Sequence, residues 1–146
     1  MAVSSQPALR TDRGFTMIEL LVVILLIGIL AAIAIPSFLN QKAKANDAAA
    51  KSQARTLQIG AETLATNRSD YTEVSLARLE EIEPTLNDHA EAVPSTPIEG
   101  QAKEYEVESE STTSGRKFKI KRSSEGVITR KCEPPGQGAC PPSGDW

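Results

Sequence analysis

Aromatic residues and histidine are scarce in this 146-residue chain, which contains three phenylalanines, two tyrosines, one tryptophan and a single histidine, His89. Base-stacking surfaces for single-stranded nucleic acid use several aromatic side chains, so the composition disfavours that kind of site. The sequence also has no phosphate-binding glycine loop, zinc-protease helix motif or serine elbow. Because one histidine without a suitable cysteine or serine partner leaves nucleophilic catalysis unsupported, we expect neither an enzyme nor a cofactor.

Cysteine is limited to Cys132 and Cys140. A structural zinc ion needs four ligands, and two cysteines with one distant histidine do not supply them. An even pair in an exported chain is typical of a disulfide, so we expect these two residues to be bonded. The net charge of -3 gives no overall electrostatic attraction for nucleic acid, although a local basic patch would be compatible with it.

One long apolar run dominates the sequence, from Phe15 to Ile35. Its length of about 21 residues corresponds to a helix of roughly 31 Å, which matches the hydrocarbon core of a bilayer. Glu19 is the one ionisable residue in the run, and no lysine, arginine or histidine accompanies it there. A carboxylate inside a membrane span is costly, so we expect Glu19 to have a cationic partner from outside the run.

Gly14-Phe15-Thr16, followed by Glu19, the apolar run and Pro36, resembles the N-terminus of a type IV prepilin. The resemblance is close from Gly14 to about Thr66. After Thr66, only the general layout of the chain is similar. It implies that a prepilin peptidase cuts between Gly14 and Phe15, that Phe15 becomes N-methylated, and that its new α-amine is the missing cation. Glu19 then has two possible partners: the amine of its own chain or, as we favour, that of a neighbouring subunit, which would set the axial register during assembly.

These features divide the chain into a leader at 1–14, a membrane or filament-core helix at 15–36 and a head at 37–146. An ordinary secretory signal is the alternative, because Ala32-Ile33-Ala34 fits a general signal peptidase site. The run is longer than a usual signal core, however, and it contains a carboxylate. Basic residues flank both ends of the run, so the positive-inside rule supports the two possible membrane orientations almost equally. The cysteine pair favours an oxidising location for the head.

Pro36 predicts a kink in a helix that continues to about Thr66, because the stretch after it is rich in helix-forming residues. A narrow apolar stripe along this half of the helix predicts packing on the chain's own sheet rather than a coiled coil. The stripe consists of Ala43, Ala50, Ala54, Leu57, Ala61 and Leu64. Lys51, Arg55 and Glu62 lie off the stripe.

Beyond a helix stop at 67–70, the pattern predicts a short helix from Ser75 to Ile82 and a loop at 93–97. Alternating residues then predict three short strands around 105–107, 118–120 and 128, with turns at 113–115 and 124–126. Glutamates at 104, 106 and 108 are predicted to oppose lysines at 117, 119 and 121 across a hairpin. The expected fold class is α+β: a long N-terminal helix on a small antiparallel sheet of about three to four strands with a C-terminal disulfide loop, similar to the pilin fold.

The function we predict is a structural subunit of a type IV pilus that serves adhesion, motility or DNA uptake. The subunit would be stored in the cytoplasmic membrane and assembled into an extracellular filament. The resemblance implies self-assembly into a helical homopolymer, and a prepilin peptidase, an assembly ATPase and an inner-membrane platform protein as partners. The alternatives are a pseudopilin of a type II secretion system, a low-copy minor pilin acting as a binding module, and an anchored protein that never polymerises. DNA binding would have to use the basic residues of the last strands: Arg116, Lys117, Lys119, Lys121, Arg122, Arg130 and Lys131.

Overall fold

The computed structural model of the protein describes residues 14–146, apart from the side chains of Asn67 and Pro97. Most of the predicted leader, residues 1–13, therefore lies outside the described part. The chain divides into two units after Ser37. The elements are helix α1 (Met17–Arg68), helix α2 (Leu76–Ile82), a 3₁₀ turn (Pro84–Asn87) and strands β1 (Ala92–Gly100), β2 (Tyr105–Ser111), β3 (Lys117–Arg122) and β4 (Ile128–Glu133).

Helix α1 begins at Met17 and continues without interruption past Pro36 to Arg68. The predicted continuation beyond the proline is therefore confirmed. Ser69, directly after the helix, has a positive φ of 61°, the left-handed conformation that commonly ends helices. The helix thus stops where the sequence predicts it.

The head contains one antiparallel sheet in the order β1-β2-β3-β4. Its core joins one side of the sheet to the alanine and leucine stripe of α1, and Leu57, Tyr105 and Phe118 are among its buried members. Ala50, Ala54, Ala61 and Leu64 of the predicted stripe are buried as well. The predicted fold class is confirmed: a long helix on a small antiparallel sheet, with a disulfide loop near the C-terminus.

The predicted loop at 93–97 is wrong, because these residues lie within β1. Pro94 is paired with Ser109, and the register shifts between Ser95 and Glu99. Proline lacks an N–H, so it is tolerated in an edge strand and beside an irregularity in pairing. β1 meets both conditions, which explains why prolines that suggest a loop are compatible with a strand here.

Candidate functional site

The first half of α1 exposes apolar side chains around its whole circumference in the single chain. Leu20, Ile27 and Ile33 are all exposed, and Phe15, just before the helix, is 84% exposed. The described residues contain one helix that is long and apolar enough to cross a membrane, and it is α1. An apolar surface of this extent indicates a lipid or protein environment.

Thr16 and Glu19 form a reciprocal capping box at the start of α1. The Thr16 N–H and hydroxyl donate to Oε2 of Glu19 at 3.0 and 2.8 Å, and the Glu19 N–H donates to Oγ1 of Thr16 at 3.2 Å. This arrangement satisfies helix-end donors that would otherwise lack partners. Sequence reasoning missed it, although the Thr-x-x-Glu spacing was a sufficient signal. Since both bonds from Thr16 reach the same oxygen, the carboxylate retains acceptor capacity for a cation.

Gly14 and Phe15 precede α1 and are exposed, without helix or strand structure. A protease requires an accessible peptide bond outside regular secondary structure, so the exposure of these residues is compatible with cleavage at this point. Pro36 lies inside the continuous helix. The kink at Pro36 stays a prediction, as do the cleavage and the N-methylation of Phe15.

A buried carboxylate, Asp47, connects α1 to two loops of the head. Its side chain has no exposed surface, and Oδ2 lies 2.8 Å from Nη1 of Arg116. The Ser114 hydroxyl and the Ala139 N–H donate to the same carboxylate at 2.5 and 3.1 Å. Burial disfavours the charged form, but these hydrogen bonds and the Arg116 charge outweigh it and hold the pKa of Asp47 below its ordinary value.

Two cations on the same side of α1 hold the C-terminal segment. Lys51 donates a 2.6 Å hydrogen bond to the Ala139 carbonyl and lies 5.3 Å from the centre of the Phe118 ring. The Trp146 ring lies 5.6 Å from Lys51 Nζ and 5.5 Å from the Arg55 guanidinium carbon. Residues spaced by four share a helix face, so these two residues and Asp47 form one continuous contact line. The apolar stripe in the sequence did not predict that Lys51 and Arg55 contact the C-terminal segment.

Cys132 and Cys140 form the predicted disulfide, with their Cα atoms 5.7 Å apart. The bond joins β4 to the loop whose Ala139 contacts Asp47 and Lys51. A backbone hydrogen bond from the Cys132 N–H to the Gly144 carbonyl, at 2.8 Å, fixes the following segment. The disulfide therefore holds the loop where α1 can bind it.

Replacing both Cys132 and Cys140 with serine should lower the free energy of unfolding of the head by about 2–3 kcal/mol, because the unfolded chain regains loop entropy. Chemical denaturation of the purified protein, followed by Trp146 fluorescence, measures the change. A variant with an unchanged denaturation midpoint would contradict the expectation.

The side of the sheet remote from α1 carries a ladder of opposite charges. Glu106 opposes Lys121, Glu108 opposes Lys119, and Glu110 opposes Lys117. The predicted rows are confirmed for residues 106 and 108, whereas Glu104 lies before β2 and Glu110 takes the third place. Lys117 lies 3.0 Å from Glu108, and Lys119 lies 3.0 Å from Glu106. Exposed pairs of this kind stabilise a sheet by only a few tenths of a kcal/mol each, but the rows fix the register of the hairpin. Glu108 differs in being buried, and it accepts hydrogen bonds from both Lys117 and Ser95.

The other basic residues of β3 and β4, and Arg116 just before β3, also contact side chains or ring faces within the head. Arg122 stacks 5.1 Å from the centre of the Tyr71 ring and lies 3.8 Å from Glu62, which also accepts hydrogen bonds from the Tyr71 and Tyr105 hydroxyls. Arg116 pairs with Asp47, Arg130 donates to Gln58, and Lys131 lies 2.6 Å from Asp145. Six of the seven basic side chains named for DNA binding thus have acidic partners within the head, and Arg130 contacts the neutral Gln58, which weakens the electrostatic case for DNA binding.

Within residues 14–146, no group of three or more His, Cys, Asp or Glu side chains is arranged to hold a metal ion. The polar clusters of the described head instead connect α1 to β-strands and loops, as at Asp47 and Glu62. Their geometry is that of structural connections between elements.

Residues 9–35 match the family described as "Prokaryotic N-terminal methylation motif". The chain is 39% identical over 62 residues to the type IV major pilin protein of Myxococcus xanthus, which is 42% of this chain and 28% of that protein. It is 42% identical over 55 residues to a fimbrial protein of Pseudomonas aeruginosa, 38% of this chain and 36% of the relative. It is 54% identical over 39 residues to the type IV wide pilus major component of Thermus thermophilus, 27% of this chain and 30% of the relative.

These matches span 28 to 36% of the length of the relatives. No solved structure matches the chain significantly. The predicted resemblance to type IV pilins is confirmed by the methylation motif and by the pilin and fimbrial relatives.

Proposed function

We propose that this chain is a structural subunit of a type IV pilus. The observation that carries the proposal is the match of residues 9–35 to a methylation motif, together with the apolar surface that the first half of α1 exposes all around. Such a surface is stable in a bilayer before assembly and against other copies of the same helix afterwards. The names of the relatives, which include major pilins, support the same role.

The proposed life cycle has two stages. The precursor inserts into the cytoplasmic membrane through α1, and a prepilin peptidase removes residues 1–14 and leaves Phe15 as the methylated N-terminus. An assembly ATPase and an inner-membrane platform protein then move subunits into a helical filament outside the cell. The head (38–146) would face outward, where an oxidising environment maintains the disulfide between Cys132 and Cys140.

The N-terminus of the mature protein tests this proposal directly. Mass spectrometry of filaments sheared from the cell surface should find this chain in high abundance, beginning at Phe15 with one added methyl group. A protein that begins near Ser37 would overturn the proposal, because a general signal peptidase would then have removed the apolar helix. A correct N-terminus without surface filaments would instead favour the pseudopilin role.

A further inference from the structure

Four basic residues on one flank of α1 have no acidic partner, and we call them the basic line. Lys44, Lys51 and Arg55 are spaced by seven and four residues, so they share one helix face. Three residues further on, Gln58 accepts a 3.5 Å hydrogen bond from Arg130 of β4, the fourth member. Within the described residues 14–146, none of these four side chains forms an ion pair.

The two arginines of the basic line are held in place by uncharged groups. Arg55 stacks on the Trp146 ring, 5.5 Å from its centre. Nε of Arg130 is buried and has no hydrogen-bond partner. Asp47, the buried carboxylate on the same side of α1, is bound to Arg116. The basic line therefore carries four positive charges that the carboxylates of the described head leave without a partner.

The opposite excess of charge lies in residues 78–91, which we call the acidic segment. It contains five carboxylates and one arginine, a net charge of -4. Its acidic residues are Glu80, Glu81, Glu83, Asp88 and Glu91. In the described part of the chain, only Glu81 forms an ion pair, with Arg78. The acidic segment thus also lacks counter-charges within its own head.

The acidic segment borders α1 on the flank opposite the basic line. A polar cleft of about 510 Å³ separates α1 from the end of this segment, and Asp88 and Glu91 are among its lining residues. On the helix side the cleft is lined by Ala49, Ser52, Gln53 and Thr56. Gln53 and Lys51 are two residues apart, a rotation of about 200° around the helix. The two unpaired charges of opposite sign therefore lie on opposite flanks, at the same level of α1.

This arrangement suits copies that stand side by side with parallel helices. When such copies repeat around a filament axis, one flank of each helix faces the opposite flank of the next, which is a head-to-tail contact. The flank with an excess of four positive charges would then meet the flank with a net charge of -4. Complementary charge favours one partner and one register over others.

We propose that the basic line of one copy pairs with the acidic segment of the next copy in the filament. This inference rests on the proposed function. A second copy fits better than a free polyanion, because the chain as a whole has a net charge of -3 and repels polyanions. Exposed charge pairs are weak, so isolated heads should remain monomeric. In a filament, the packed apolar helices hold neighbouring heads at high effective concentration, and the same pairs become significant.

Charge reversal in the full-length protein tests the contact. Arg55→Glu and Glu91→Arg should each lower the yield of surface filaments by about tenfold, because like charges then meet at every repeat. The double variant should recover most of the wild-type yield, since the pair forms again with its charges exchanged. The matched control combines Arg55→Glu with Glu99→Arg, an exposed glutamate of β1 that opposes Glu106 on the charged side of the sheet, and it should not recover.

A double variant with a yield no higher than that of the Glu99 control would overturn this inference, as would normal yields from both single variants. If Arg55→Glu filaments form normally but no longer bind immobilised DNA, the basic line binds a polyanion and the inference is wrong. The denaturation midpoint of each purified variant shows whether its head is folded. Absence of surface filaments from the wild-type chain would overturn the proposed function itself.

Carbodiimide cross-linking provides a second test that needs no reversed charge. The reagent condenses an amine and a carboxylate in contact to an amide, with loss of water. The conservative variant Arg55→Lys places an amine in the basic line and should assemble. Its filaments should contain peptides that join position 55 to Asp88 or Glu91, and monomers dispersed in detergent should not. Filaments of normal yield without such peptides would contradict the proposal and leave the proposed function intact.

Discussion

Replacement of Glu19 with alanine should reduce filament yield by about tenfold or more, because a buried cation without its carboxylate is strongly disfavoured. After cleavage, the α-amine of Phe15 is mostly protonated at neutral pH and needs an anionic partner inside the filament. We propose that the carboxylate of a neighbouring copy supplies this partner, and only at the correct axial offset, so that the pair selects the register. Membrane insertion and cleavage should continue, which immunoblotting of membrane and sheared fractions would show.

The capping box supplies an alternative role for Glu19, and two further variants separate the roles. Glu19→Gln retains the acceptor for the Thr16 N–H but removes the charge, since glutamine also serves in a capping box. Thr16→Val removes the Thr16 hydroxyl from the cap but retains the charge. Charge pairing predicts that the glutamine variant fails to assemble and that the valine variant assembles. The reverse pattern would show that Glu19 acts only as a cap. Wild-type filament numbers in Glu19→Ala would contradict both roles, because alanine removes the cap and the charge together.

Asp47→Ala should lower the free energy of unfolding of the head by roughly 3–5 kcal/mol, because it leaves the Arg116 guanidinium without its buried partner. It also removes the acceptor for the Ser114 hydroxyl and the Ala139 N–H. Domains of this size are typically stable by about 5–15 kcal/mol, so the variant would be close to unfolding. Denaturation monitored by circular dichroism measures the loss. Asp88→Ala is the matched control at an exposed aspartate, and it should change stability little.

The acid sensitivity of the head should depend on Asp47 as well. Because its pKa is lowered in the folded state, its stabilising effect is complete above the ordinary aspartate pKa of about 3.9 and is lost as the pH falls through the lower folded value. Asp47→Asn should therefore be less stable than the wild type at pH 7, and the difference should shrink as the pH falls below about 4. A constant difference between the two proteins across this range would contradict the assignment.

Elements with strong periodicity were predictable from the sequence. The extent of α1 followed from its uninterrupted helix-forming composition, and its buried side followed from residues such as Leu57 and Ala61. The strands around Tyr105 and Phe118 followed from alternation, and the disulfide followed from an even number of cysteines. β1 was missed because prolines normally indicate loops. Whether a strand accepts proline depends on the position of that strand within the sheet, and the local sequence gives no information about this position.

The sequence by itself thus determined the family resemblance, the apolar half of α1 and the fold class, because each depends on local composition and spacing. Only the tertiary structure decided what Asp47, Lys51 and Arg55 do. Lys51 and Arg55 lie off the apolar stripe, and Asp47 is a carboxylate at a stripe position, four residues after Ala43 and three before Ala50. The folded chain brings Arg116, Ala139 and Trp146 to these three side chains from about 70 to 90 residues away. Contacts between residues so distant in sequence have no periodicity, so they arise only when the sheet and the disulfide loop have closed on the helix.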